Sequence, residues 1–435
     1  MSVPTLPAPV RTAPAARRAA GASPRLRAAR PRAVVVPPSL EIGESPAAAV
    51  FRAVRTRGPL TRDVVAKATG LSIATVNRQV SALLDVGVLR ERGDLTPSGA
   101  VGRPRVPFDV DHERFATVGI HVGAVVTSII ASDLRGRVLG AVEIPTPRTH
   151  SDEALTSVAR SARAFAGRWH RRTPLWAGVA IGGRVDAATG VVDHPRLGWT
   201  GAQVGQIIGA GLGLPVSVAA HVEAMAASEL LLAHHDSEES EVAEPVAGET
   251  GMYFYAREMA GIAITIDGRV HTPSTGPGSI AHFPTGSSAQ CSCGAVGCLE
   301  ATVSDRAIID AAVAKGIVPQ DGRPTVAAVV KAALDGSEDA HELLVERARV
   351  LGRTVATLRD LFNPDRVILG GQAFTEYERG LPHVASAFAQ ASRLGRKDVR
   401  VTGFGNRVQE YASTVVSLST LFADPVGAIR RTTAA

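Results

Sequence analysis

AHFPTGSSAQCSCGAVGCLE, Ala281 to Glu300, gathers all three cysteines of a 435-residue chain into eight positions and places a histidine nine residues ahead of the first. His282, Cys291, Cys293 and Cys298 form His-x8-Cys-x-Cys-x4-Cys, the four nitrogen and sulfur ligands that zinc takes in closed tetrahedral sites. Gly294 and Gly297 allow the tight folding that brings thiolates so close in sequence onto one ion. With every position filled by protein, no place is left for a reactive water, so the reading is a structural Zn2+. Two other readings stand beside it: three free cysteines, or a Cys-x-Cys pair that senses zinc or redox state. An odd number of clustered thiols builds no disulfide framework and points to a reducing, cytoplasmic setting.

Outward from this segment, the length suggests two or three domains, and 45% hydrophobic with 20% charged residues is a globular balance. No apolar run reaches the eighteen or so residues of a membrane span, so no membrane partner is expected. The net charge of +6 is uneven: residues 1–40 hold seven arginines and no acid, and residues 41–106 ten basic against six acidic side chains. Residues 1–40, rich in Arg, Ala and Pro, lack hydrophobic periodicity and are expected to be a disordered tail. Arg17-Arg18 suggests an export signal, but no apolar segment follows it; a basic arm that touches DNA phosphates and a mis-assigned start are the competing readings. The acid-rich stretch from His234 to Gly251 reads as an exposed loop.

From Ser45 the texture becomes helical. SPAAAVFRAVRTRG places Val50, Phe51 and Val54 on one face and stops at Gly58. Thr61 is placed to cap TRDVVAKATG, and Ser72 to cap a third helix whose Val76, Val80, Leu83 and Leu84 form an inward stripe. Two helices joined by Gly70-Leu71-Ser72 make a helix-turn-helix, whose second helix reads the major groove. VLRERGDLTPSGAVGRPRV then reads as two short strands around a basic turn, completing a winged helix. The candidate DNA contacts are Asn77 and Arg78 at base edges, Ser72 and Thr75 at a base or phosphate, and Arg92, Arg103 and Arg105 at the backbone or minor groove. A three-helix protein-interaction module is the alternative.

Beyond Pro107, strand and helix runs alternate, with FATVGIHVGAVVTSIIASDLRGRVLGAVEI as two or three strands, a helix capped by Ser151, and LWAGVAIGG as a buried strand. This argues an α/β domain with a mainly parallel sheet. Four features together carry a family resemblance: the helix-turn-helix with its wing Gly102-Arg103-Pro104, the turn GVAIGGRVDAATGVV, the cysteine segment, and NPDRVILGG at Asn363–Gly371. The chain resembles the ROK family (repressors, open reading frames and sugar kinases), in its transcription-factor, non-kinase branch of actinobacterial type, from about Ser45 to Gly427.

The resemblance implies a winged helix joined to a two-lobed, actin-like (ribonuclease-H-like) body with a structural zinc site. The expected organisation is a tail over 1–40, the winged helix over 41–107, the body over 108–427 and a short tail over 428–435. Within the body, the first lobe is expected over about 113–219 with a C-terminal helix over 409–424, and the second lobe over about 220–405. Kinase members carry Asp-x-Gly-Gly-Thr after the first strand; this chain has His121-Val122-Gly123-Ala124-Val125. Where they have a Gly-Thr-Gly-x-Gly phosphate turn, it has Arg257-Glu258-Met259-Ala260-Gly261, and where they have the catalytic aspartate it has His221, after Ala220. With His121 and His221 in place of aspartates, no enzyme activity is expected. A family sugar ligand just ahead of the metal histidine is Ser279 here, whereas His282 and Glu300 stand at the other two positions. His221, His282 and Glu300 are therefore the expected contacts of a small carbohydrate or sugar-phosphate effector, unless they now only pack and pair.

The expectation is a cytoplasmic, homodimeric or dimer-of-dimers DNA-binding regulator, a repressor, whose inactive kinase-like body dimerises and senses an effector. Its rivals are an effector-blind repressor and an active ATP-dependent sugar kinase.

Overall fold

The computed structural model describes residues 33–95, 105–232, 248–273, 276, 278–321, 324–395 and 398–434. Three helices come early. Ser45 caps α1 (Pro46–Arg57) by accepting from the Ala48 N–H, and Ser72 caps α3 (Ile73–Asp85) by accepting from the Thr75 N–H. At α2 (Arg62–Thr69) the expected capping bond from Thr61 is absent, because its hydroxyl is spent on the Asp63 carboxylate at 2.6 Å. Val76, Val80 and Leu83 turn inward, and the chain continues into β1 (Leu89–Glu91), which pairs antiparallel with β2 (Phe108–Val110). The Gly/Pro-rich turn between them, with Arg103, lies outside the described residues, as does most of the acid-rich stretch.

The first lobe is a five-stranded sheet with order β10-β6-β3-β4-β5. It is built from β3 (Phe115–Val122), β4 (Val126–Ser132), β5 (Val138–Pro145), β6 (Thr173–Ile181) and β10 (Val216–Ala220), with helices α4 (Ser151–Ala166) and α5 (Val204–Leu212) and a small sheet of β7 (Arg184–Asp186), β8 (Val191–His194) and β9 (Trp199–Ala202). Ser151 lies inside α4, and His150 takes the capping position expected for it. After α6 (His221–Leu231), the second lobe forms another five-stranded sheet, order β13-β12-β11-β14-β15. Its strands are β11 (Thr250–Ala256), β12 (Ala260–Ile266), β13 (Arg269–Val270), β14 (Arg366–Gly370) and β15 (Asp398–Val401). Around it stand α7 (Leu299–Val303), α8 (Asp305–Ala314), α9 (Val326–Leu334), α10 (Glu338–Phe362), α11 (Gln372–Thr375) and α12 (Leu381–Ala391).

Neither sheet is mainly parallel, which corrects the sequence expectation. β3, β4 and β5, like β11, β12 and β13, pair antiparallel, while only the β10-β6-β3 and β11-β14-β15 pairings are parallel. The cause is the connections: turns of a few residues allow only hairpins, and a parallel pair needs a crossover.

α13 (Val408–Ala423) returns to the first lobe and crosses β3 and β6. The crossing is close because Gly178 carries no side chain: a Cβ there would lie 2.1 Å from the Ser417 nitrogen. α14 (Pro425–Ala434) occupies the expected tail at 428–435, and its Ala428 and Ile429 join one core with Phe51 and Val54 of α1. Of the tail expected over 1–40, residues 1–32 lie outside the described residues, and from residue 34 on the chain is paired. Val36 N donates to Val216 O and Val216 N to Val34 O on the edge of the first sheet, both at 2.9 Å. Ile42 N donates to Gly268 O and Val270 N to Leu40 O on the edge of the second, again both at 2.9 Å. Sheet edges present unpaired backbone groups that any extended segment can satisfy, so pairing orders residues whose composition alone does not.

Candidate functional site

The cysteine segment is a pair of tight turns. Cys291 N donates to Ala295 O and Gly294 N to Cys291 O, both at 2.9 Å, with Gly294 at φ 91° and Gly297 at φ 79°. A side chain on Gly297 would sit 2.6 Å from the Ser287 carbonyl. The turns bring the ligand atoms of His282, Cys291, Cys293 and Cys298 within 4.8 Å of one another, a set able to hold a metal ion. His282 Nδ1 is 3.6 Å from Cys291 Sγ, and Cys293 Sγ is 3.7 Å from Cys298 Sγ. A hydrogen bond from the Cys293 backbone pulls the Cys291 thiol down to about 7, whereas burial pushes Cys298 up to about 11. Cys298 also precedes the first turn of α7, which holds Glu300, and Glu300 N donates to Ala281 O at 2.9 Å. The cysteine segment thus positions Glu300 through the backbone on both sides.

Between the lobes lies a cavity of about 910 Å3, walled by the ends of β3, β6 and β10, the start of α6, the β11–β12 turn and the metal segment. His221, His282 and Glu300 all reach its wall. Glu300 is already engaged: Arg196 of the first lobe pairs with its carboxylate and donates to Glu258 O at 2.8 Å. His121 and His221 stack with ring centroids 5.8 Å apart, and His121 Nε2 and both ring nitrogens of His221 have no partner among the described residues. Burial holds His221 down at about 4 and His121 well below its ordinary value, so both are neutral at pH 7. Arg196 and Arg257 were not singled out as ligand contacts from sequence; the run Asp193-His194-Pro195-Arg196 was the only local signal for the first.

On α3, Asn77 and Arg78 are exposed and Thr75 is half-buried, on the face opposite the inward stripe. Arg92 pairs with Asp94 at 2.7 Å and Asp109 at 3.7 Å, and Arg105 with Asp63 at 3.1 Å. Among the described candidate arginines Arg78 alone has no such partner, whereas Arg92 and Arg105 are paired.

A family profile described as the ROK family matches residues 117–402. A transcriptional regulator of Mycobacterium tuberculosis is 54% identical over 405 residues, covering 91% of this chain and 90% of that protein. The N-acetylglucosamine repressor of Escherichia coli O157:H7 is 25% identical over 371 residues, covering 82% and 87%. Among solved structures, a ROK family transcriptional regulator described as a homologue of the E. coli MLC protein superposes with a TM-score of 0.73 at 21% identity, over 88% of this chain and 98% of that one. Among the described residues no single helix is long and apolar enough to cross a membrane.

Proposed function

The chain belongs to the ROK family and is a transcriptional regulator with a sugar-kinase-like body, and on that premise we propose that it is a cytoplasmic repressor that reads operator DNA through a winged helix. The observation that carries the reading is α3: its buried stripe fixes the helix, while Asn77 and Arg78 present free donors and acceptors outward. Arg to guanine and Asn to adenine are the pairings such a helix uses in a major groove. Arg92 and Arg105, already balanced by acids, contribute less to phosphate binding than their charge alone implies. Residues 41–107 form the reading module, and two modules in a homodimer, or a dimer of dimers, address half-sites on successive turns of the duplex.

His282, Cys291, Cys293 and Cys298 fit zinc by donor type and by convergence, and a closed set of four makes its role structural. The body senses a small carbohydrate or sugar phosphate and performs no phosphoryl transfer, since His121 and His221 occupy the positions of the acids that such chemistry needs. The Arg196–Glu300 pair favours a second reading, an effector-blind repressor, because an internal guanidinium already takes the expected sugar contact.

The test is operator binding by the zinc-loaded chain across a salt series, with and without a panel of sugars and sugar phosphates. The proposal expects affinity to fall steeply with salt and to change with one ligand class. Salt-independent binding overturns the DNA reading; binding that no panel member alters establishes the effector-blind one.

A further inference from the structure

Residues 34–42 cross from one lobe to the other before the first helix begins. At the first lobe, Val36 N donates to Val216 O and Val216 N to Val34 O, so the segment adds itself, in parallel, to the open edge of β10. Ser217 Oγ donates to Val36 O at 2.7 Å and accepts from Nε1 of the buried Trp176 at 3.0 Å, a chain of bonds that reaches the core. The side chain of Val35 sits over two glycines. A Cβ on Gly205 would lie 3.0 Å from its Cγ2, and one on Gly190 3.2 Å from its Cγ1.

At the second lobe, Ile42 N donates to Gly268 O and Val270 N to Leu40 O, and Glu41 pairs with Arg269 across an antiparallel bridge to β13. Leu40 is buried in the core that α1 also enters. Between these two anchors stand only Pro37, Pro38 and Ser39. Proline fixes φ and donates no backbone hydrogen bond, so the run is a stiff spacer and not a further strand. With both anchors paired, the Cα atoms of Val36 and Leu40 can part by no more than about 14 Å, four residues at full extension.

The join from the second anchor to α1 has no slack either. Gly43 and Glu44 alone separate Ile42 from Ser45, the cap of α1, and Arg52 of α1 donates to Gly43 O at 3.3 Å. A side chain on Gly43 would lie 2.8 Å from both Ala48 Cβ and Ala423 Cα, so this join is packed between α1 and the end of α13.

We propose that residues 34–42 are a strap of fixed reach, which bounds the separation of the two sheet edges and carries any change in that separation to the start of α1. A segment paired at one lobe alone would cover the free backbone groups of one edge. This one covers an edge on each lobe and joins them by its stiffest residues, so neither anchor shifts unless the other shifts with it or lets go.

Hydrogen–deuterium exchange of the full, zinc-loaded chain tests the strap, and it needs neither DNA nor a sensed molecule. Val35→Asp unseats the first anchor, whereas insertion of Gly-Ser-Gly-Ser between Pro38 and Ser39 keeps both anchors and removes the fixed reach. With the native spacer, Val35→Asp is expected to speed exchange about tenfold at Val36 and Val216, and also at Ile42, Val270 and the Ala49 amide in the first turn of α1. In the lengthened chain the same substitution should speed exchange at the first anchor only. Val35→Ala, which merely shortens the seated side chain, should repeat the pattern to a smaller degree, and it decides the matter if the aspartate variant does not fold. Wild-type exchange at Ile42, Val270 and Ala49 in the Val35 variants overturns the proposal, because the anchors are then independent. Equal acceleration there with the native and the lengthened spacer also overturns it, because loss of the first anchor then loosens the fold without acting through the spacer.

Discussion

His282 belongs to two places at once, as a member of the metal-binding set and as part of the cleft wall. Removing a thiolate should therefore disturb both. Cys293→Ser is expected to abolish zinc, measured by atomic absorption, and to weaken the ligand response with it. Glu300→Ala should leave zinc in place while altering the response, because Glu300 is tied to the segment by its backbone only. Zinc removal that spares the response contradicts this linkage. The convergence of His282, Cys291, Cys293 and Cys298 was legible in sequence because they lie within seventeen consecutive residues. The Arg196–Glu300 pair was not, since its members are 104 residues apart and only the fold brings them together. Arg92 and Arg105 show the same limit: charge is visible in a sequence, its neutralisation by Asp94, Asp109 and Asp63 is not.

At the scale of elements, α6 connects the cleft to the N-terminal helices. Its first residue is His221, and at its far end, about 15 Å away at the helical rise, Arg55 of α1 donates to Leu231 O at 2.7 Å while stacking over Phe422. Two acids ride on this helix in buried positions, and burial raises Glu223 and Glu229 to about 7. For Glu229, the folded state binds its proton more tightly than the unfolded state does. Its contribution to stability is therefore fully present below about 4.5 and is lost as pH rises through about 7. The buried histidines act in the opposite sense as pH falls, so the comparison with a variant isolates the acid. Glu229→Gln should raise the unfolding free energy from urea titration at pH 8, by on the order of 2–3 kcal/mol, and leave it little changed at pH 4. An equal effect at both values contradicts the assignment. The helical stripe of α3 was readable from its spacing, whereas α6, buried on nearly every side, has no amphipathic period to read.

At the scale of the molecule, the sequence suggests separable domains, and the structure shows the three N-terminal helices sharing a core with the body. Phe51 and Val54 of α1, Leu231 and Leu232 after the cleft, Phe422 of α13 and Ile429 of α14 belong to one hydrophobic cluster. The segment 34–42 adds backbone pairing to an edge of each lobe just before α1. The core runs across the expected boundary at residue 107, and that continuity leaves no mark in composition or local periodicity. Calorimetry should accordingly show the module and body unfolding together, and Phe51→Ala should lower that single transition, at a cost of about 3–5 kcal/mol. A module that melts separately contradicts the shared core. Two elements thus join the lobes to α1: α6 through Arg55, and the segment 34–42 paired to an edge of each sheet.

The most direct test is selection of bound duplexes from a random library by the full, zinc-loaded chain and by its Arg78→Ala variant. The account predicts a two-fold symmetric motif with half-sites a whole number of helical turns apart, and loss of about 1–3 kcal/mol of preference at one base pair of each half-site in the variant. No enriched motif, or the same motif with undiminished preference from Arg78→Ala, would contradict the claim that α3 reads the operator.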